Sequence, residues 1–112
     1  MRIEHLLRRE AAGLPEELVE QVLSGKAFRV ERIVSQGHCS EPGFWYDQSE
    51  HEWVMLLSGA AGLEFAEANG KPGRHVEMRP GDALLIPAHQ RHRVSWTKLG
   101  EQSVWLAIFF TD

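Results

Sequence analysis

The chemistry this sequence offers centres on a carboxylate and an imidazole, Glu52 and His92, which converge on one pocket if the strands that carry them turn both inward. His92 ends the stretch Gly81-Asp-Ala-Leu-Leu-Ile-Pro87-Ala-His89-Gln-Arg-His92. Gly81 and Pro87 mark two bends, and Ala83 to Ile86 is a short apolar run of the kind buried in β-structure. A further strand then starts with His92 facing inward. Glu52 lies in Tyr46-Asp-Gln48-Ser-Glu-His51-Glu52-Trp-Val-Met-Leu-Leu-Ser-Gly59. Side chains alternate faces along a strand, so an inward Glu52 shares its face with Tyr46, Gln48, Glu50, Val54 and Leu56. By the same parity His92 shares a face with Val94 and Trp96, whereas His51 joins the inner face only across a bulge. The expected wall is mostly apolar, with Tyr46, Gln48, Glu52 and His92 as its convergent polar groups, which is the character of a small-molecule pocket.

Each residue also has a plainer reading. A carboxylate inside a barrel is costly without compensation, so an inward Glu52 requires a metal ion, a protonated His92, or hydrogen bonds from Gln48 and Tyr46. On a flipped strand it is a surface acid. His92 is either a pocket residue or a core histidine bonded to a carbonyl. An amide and a phenol are weaker metal donors than imidazoles, so Gln48 and Tyr46 divide between ligand and spectator. His89 with His92 makes a His-x-x-His pair, but in a turn this does not guarantee metal geometry, and His89 reads equally as a turn residue at the rim. Arg91 and Arg93 have outward parity, where arginine stems cover apolar surface and pair with acids. Phe44-Trp45 could form a lid, and the four tryptophans read as core or as an oligomer face.

The elements that must position these groups are short. Leu14-Pro15-Glu16-Glu17, followed by Leu18, Val19, Val22 and Leu23, predicts an amphipathic helix from Pro15 to Ser24, ended by Gly25. This gives an N-terminal helical segment over 1–27 and a barrel domain over 28–112. Phe28 to Val34 reads as the first strand, near an edge. Further strands are expected at Trp53–Ser58, Gly62–Ala66, Arg74–Met78 and Val104–Phe110, besides those around Ala83–Ile86 and His92. A turn at Glu67 to Gly73 is centred on Asn69-Gly70, and Thr97 to Gln102 makes the last hairpin. Short strands with Gly and Pro punctuation predict an all-β barrel or sandwich.

The chain has 112 residues, enough for one core, and 43% of them are hydrophobic. Its net charge of −4 comes without a basic block, which argues against nucleic acid as a partner. No apolar run has the length of a membrane span, and Met1-Arg-Ile-Glu-His lacks the apolar core of a signal peptide. A cytoplasmic protein is expected, and the single Cys39, read as a loop thiol, fits a reducing compartment.

The spacing Gly81, five residues, Pro87, one residue, His89, two residues, His92, three residues, Trp96 resembles the second signature motif of the cupins. Their first motif runs His, one residue, His, three or four residues, Glu, six residues, Gly. Glu52 and Gly59 match it, but Tyr46 and Gln48 stand at the two histidine positions, and His89 stands where the second motif has glycine. With Arg32-Ile-Val-Ser-Gln-Gly and Gly43-Phe-Trp-Tyr-Asp-Gln, the pattern over about residues 28 to 110 is similar to small single-domain bacterial cupins without agreed activity. The resemblance implies a jelly-roll barrel of the cupin type, here with the short N-terminal helix, and carries Glu52 and His92 over as site residues. Two functions follow from it. One is a metal-dependent oxygenase or isomerase, with iron, manganese, nickel or zinc on His92, Glu52 and Gln48, His51 as a further candidate ligand, and Tyr46, His89 and Trp96 lining the pocket. The other is a metal-free module that binds or senses a small metabolite. A homodimer is expected from the early edge strand and the tryptophans.

Overall fold

Burial alternates along the strand from His51 to Leu56, with Glu52, Val54 and Leu56 buried and the residues between them less so, because successive side chains of a strand point to opposite faces. The computed structural model describes residues 1–112 apart from Ala12, Ala68, Gly70 and the side chain of Pro72. Its strands are β1 (Leu18–Ser24), β2 (Phe28–Ser35), β3 (His51–Ser58), β4 (Ala61–Ala66), β5 (Pro72–Met78), β6 (Ala83–Ile86), β7 (His92–Thr97) and β8 (Ser103–Phe110). A five-stranded sheet in the order β1-β2-β8-β3-β6 faces a three-stranded sheet in the order β5-β4-β7. All neighbours pair antiparallel. Val54, Leu56, Leu63, Met78, Ile86, Trp105, Ala107 and Phe109 meet between the sheets as the core. The expected all-β barrel is therefore the fold. The proposed Asn69-Gly70 turn falls partly outside the described residues, but the hairpin around it is closed by Glu67 N–H donating to Lys71 O at 2.7 Å.

The N-terminal helix expected over Pro15–Ser24 is instead β1, and no described residue is helical. An isolated helix of that length is marginal in water, while β2 presents a full row of backbone partners. Leu18 pairs with Val34, Val19 with Ile33 and Glu20 with Arg32. A register shift between Gln21 and Leu23 absorbs the spacing that imitates a helical period. As a result β2 lies inside the sheet, between β1 and β8, rather than at its edge.

A second irregularity decides a face of β7. Val94 pairs with Leu63 but Trp96 pairs with Gly62, which leaves Ser95 as the extra residue. Beyond it the parity is reversed. The Trp96 indole lies against Gly62, where a Cβ would sit 2.1 Å from its Nε1, and Thr97 becomes the buried residue.

Arg32 ties the N-terminal segment to the sheet. It is 1% exposed and donates to Leu6 O at 2.7 Å, Arg8 O at 2.5 Å, Glu10 Oε1 at 2.5 Å and Glu20 Oε1 at 2.7 Å. The hydrogen bond from Arg32, opposed by desolvation and helped by Arg8, holds the Glu20 carboxyl below its ordinary pKa. Truncating one partner of a buried charge network strands the others, so Arg32→Ala should cost about 2–4 kcal/mol of unfolding free energy. Urea denaturation measures that loss. Limited proteolysis should show residues 1–10 cut first in the variant.

Candidate functional site

His92 is placed by backbone pairing on both sides. On one side it pairs with Phe65 of β4; on the other it makes an isolated bridge to Tyr46, with Tyr46 N–H donating to His92 O at 2.7 Å and His92 N–H to Tyr46 O at 3.2 Å. This clamps the loop before β3 to the start of β7. The Tyr46 ring is stacked on the imidazole, with centroids 5.4 Å apart and planes at 26°. Farther along, His89 N–H donates to Gln48 O at 2.7 Å, so the loop carrying Tyr46 and Gln48 is held twice against the turn before His92.

Glu52 enters from the opposite sheet. It pairs with Ile86 and Phe109, and the side chains of all three point inward. Its Oε1 lies 3.5 Å from His92 Nε2, with both side chains at least nine-tenths buried. His92 Nδ1 is 2.9 Å from Gln90 O. A carbonyl can only accept, so Nδ1 carries a proton and Nε2 is the nitrogen turned to Glu52. The pair forms the polar end of a cavity of about 240 Å³ with walls that include Val54, Leu63, Val94 and Trp105. Tyr46 and Gln48 line the same cavity. Tyr46, Gln48, Glu52 and His92 are thus brought together.

The remaining candidates lie elsewhere. Trp96 is excluded from the cavity lining by the bulge at Ser95 and is 41% exposed. His51, with the opposite parity to Glu52, accepts from Ala88 N–H at 2.9 Å, sits 3.3 Å from Asp112 Oδ2 and packs on Phe110. His89 stands in the left-handed region at φ 65° and places Nδ1 2.7 Å from Asp47 Oδ1 at an exposed rim. That backbone conformation explains the glycine of the family pattern at this position, since an L side chain rarely adopts it.

Three charged residues that face the cavity are not among the site candidates of the sequence: Glu17, read there as a helix-start acid, Arg29 and Glu31. Arg29, Glu31 and Ile33 share one parity on β2, so alternation contained the signal. Arg29 pairs with Glu31 at 3.2 Å and with Glu50, and its guanidinium lies over the Phe109 ring at 4.1 Å from the centroid. Glu17 accepts a hydrogen bond from Ser35 Oγ at 2.6 Å.

A family model described as a cupin domain matches residues 30–109. The chain belongs to the cupin family. A Ralstonia eutropha JMP134 protein named a "putative mannose-6-phosphate isomerase" is 45% identical to this cupin, with a TM-score of 0.88 over 100% of both chains. A cupin superfamily protein of Desulfitobacterium hafniense DCB-2 is 17% identical, with a TM-score of 0.72 over 92% of this chain and 84% of that one. Fe(II)-HppE, solved with an alternative substrate, is 12% identical, with a TM-score of 0.67 over 93% of this chain and 54% of its own. These last two share the fold. Among functionally curated proteins, none matches.

The donors of this cupin do not fit a tightly held transition metal. Nε2 of His92 and the Glu52 carboxylate are strong ligands, but Gln48 supplies a neutral amide and Tyr46 a phenol. Desolvation first, then the charges of Glu17 and Glu52, raise the Tyr46 pKa and keep that phenol protonated. Among the described residues, no three His, Cys, Asp or Glu side chains are grouped to hold an ion.

For His92, burial alone would lower the pKa, but the Glu52 hydrogen bond, the Gln90 carbonyl and the Glu52 charge together raise it. A histidine with a raised folded-state pKa contributes fully below its unfolded value, where both states are protonated. Its contribution is lost as pH rises through the folded value. The melting temperature should therefore fall as pH rises from about 6.5, the ordinary imidazole value, through the raised folded value, and His92→Asn should flatten that fall. Calorimetry across this range checks it; an unchanged slope in the variant contradicts the ion pair.

Proposed function

We propose that this cupin binds a small polar ligand in its barrel cavity, with the His92–Glu52 pair as the recognition centre and Tyr46 and Gln48 beside it. The observation that carries the reading is a cavity of about 240 Å³ in which an imidazole and a carboxylate face each other at 3.5 Å. Apolar walls with a few convergent polar groups are the general form of a ligand site. Removing the imidazole takes away little packed apolar volume, whereas it removes one half of the polar pair at the end of the cavity. His92→Ala and Glu52→Gln should thus weaken ligand binding more than they alter the fold, as read by ligand-observed NMR with a fragment library beside far-UV circular dichroism. Unchanged fragment binding by both variants sinks the proposal.

Weak metal binding at the same place is a second reading, with iron, manganese, nickel or zinc on His92, Glu52 and Gln48. It is favoured by the 3.5 Å separation of Nε2 and Oε1, since ligands about 2.1 Å from one tetrahedral ion lie roughly that far apart. On this reading, tag-free protein incubated with each metal and desalted should carry well under one ion per chain. Elemental analysis before and after chelation decides: stoichiometric retention would replace the metal-free reading, and no uptake at all would remove the second one.

We also propose a two-fold homodimer. The expectation of an edge at Phe28 to Val34 passes to β1, which covers β2 and leaves its own outer edge unpaired. Val19 and Leu23 on β1 are exposed. Light scattering at micromolar concentration should give twice the chain mass of 12.7 kDa; a clean monomer contradicts the proposal.

A further inference from the structure

The charges of the cavity are already partnered within the protein, and the partnering is unequal. Arg29 brings a guanidinium to the cavity, but its Nε and Nη1 are engaged by Glu31 and Glu50 and its face lies on Phe109. The imidazole of His92 is likewise turned to Glu52 through Nε2 and to Gln90 O through Nδ1. Both cations already sit against carboxylates, which offset their charge. Glu17, by contrast, lines the cavity with a neutral hydroxyl, that of Ser35, as its hydrogen-bond partner among the described residues. Counting Glu50 behind Arg29, carboxylates outnumber cations around this space.

An anion entering such a cavity would lose its water and meet an excess of carboxylate over cation, both of which oppose binding. A cation would find an incompletely compensated carboxylate at Glu17. It would also find aromatic faces, since Tyr46 and Trp105 line the same space and π-faces attract cations. The raised pKa of Tyr46, to which the charges of Glu17 and Glu52 contribute after burial, reports the same sign of potential at the phenol.

We infer that the cavity takes a small organic amine, with its ammonium at Glu17 and Tyr46 and its apolar body against Val54, Leu63 and Trp105, and that it rejects phosphorylated and carboxylated ligands. This rests on the reading of the cavity as a ligand site and specifies the ligand class. It also separates this chain's cavity from the phosphate ester in the name of its 45%-identical relative.

The test uses benzylamine, benzyl alcohol and benzoate, which are similar in size and differ in charge, together with mannose 6-phosphate. Binding is followed by ¹H–¹⁵N NMR at the indole N–H groups and backbone of the intact chain, at low salt. The expected order is benzylamine, then benzyl alcohol, with benzylamine at least about tenfold tighter and neither anion binding. Glu17→Gln should bring benzylamine to within about threefold of the alcohol while leaving alcohol binding unchanged, because the amide keeps the shape and removes the charge. Equal binding of the three benzyl probes, tighter binding of either anion, or an undiminished amine preference in Glu17→Gln overturns the charge inference and leaves the cavity reading intact. Binding of none of the probes overturns both.

Discussion

Keeping charge inside a small barrel constrains everything else in this structure. Glu52 is 8% exposed in a sheet whose inward neighbours are Ile86 and Phe109, an environment that penalises an isolated carboxylate by several kcal/mol. His92 meets it at 3.5 Å from the opposite sheet. For that to hold, the imidazole must carry a proton on each nitrogen and keep one orientation, and its neighbours favour both. Gln90 O fixes the proton on Nδ1, Tyr46 stacks on the ring, and the Tyr46 bridge fixes the backbone from which the ring projects. Even the left-handed His89 belongs to this arrangement, because its N–H closes the turn onto Gln48 O.

The residues standing where the cupin pattern has two further histidines fit that economy. Tyr46 contributes a ring face and a backbone bridge, and Gln48 contributes its carbonyl to the turn. Both act on the position of His92 through the main chain and through stacking. Of the three compensations open to an inward Glu52, a metal ion, a protonated His92 or hydrogen bonds from Gln48 and Tyr46, the protein itself supplies the imidazole. The partly buried cation at the cavity, Arg29, is handled in the same manner, between Glu31, Glu50 and the face of Phe109. What remains unbalanced is carboxylate, and this gives the cavity its sign.

Two bulges separate a parity reading from the actual faces. On β7 the extra residue Ser95 leaves Val94 in the cavity and turns Trp96 onto Gly62 outside it. On β1 the shift near Val22 lets a sequence with helix-like spacing pair along β2. In each case one added residue reverses every side chain beyond it, so a reading by alternation is right up to the bulge and inverted after it.

Much of the barrel was legible locally. The alternation of Glu52, Val54 and Leu56, the apolar run before Pro87 and the glycine turns specify strands whatever their partners, because burial on one face demands period two. The resemblance of two stretches to the cupin motifs, taken with strand parity, likewise marked Glu52, His92, Gln48 and Tyr46 as residues of one pocket. Two things were not decided there. Whether Leu18 to Ser24 is helix or strand depends on the open edge of β2, a partner that exists only once β2 has joined β8. Whether the charges of Arg29 and Glu31 face water or the cavity depends on which side of β2 the second sheet covers. Local sequence sets the period of a strand, but the face that is buried is chosen by what packs against it, and a charge turned inward is tolerated only when residues distant in sequence arrive to pair with it.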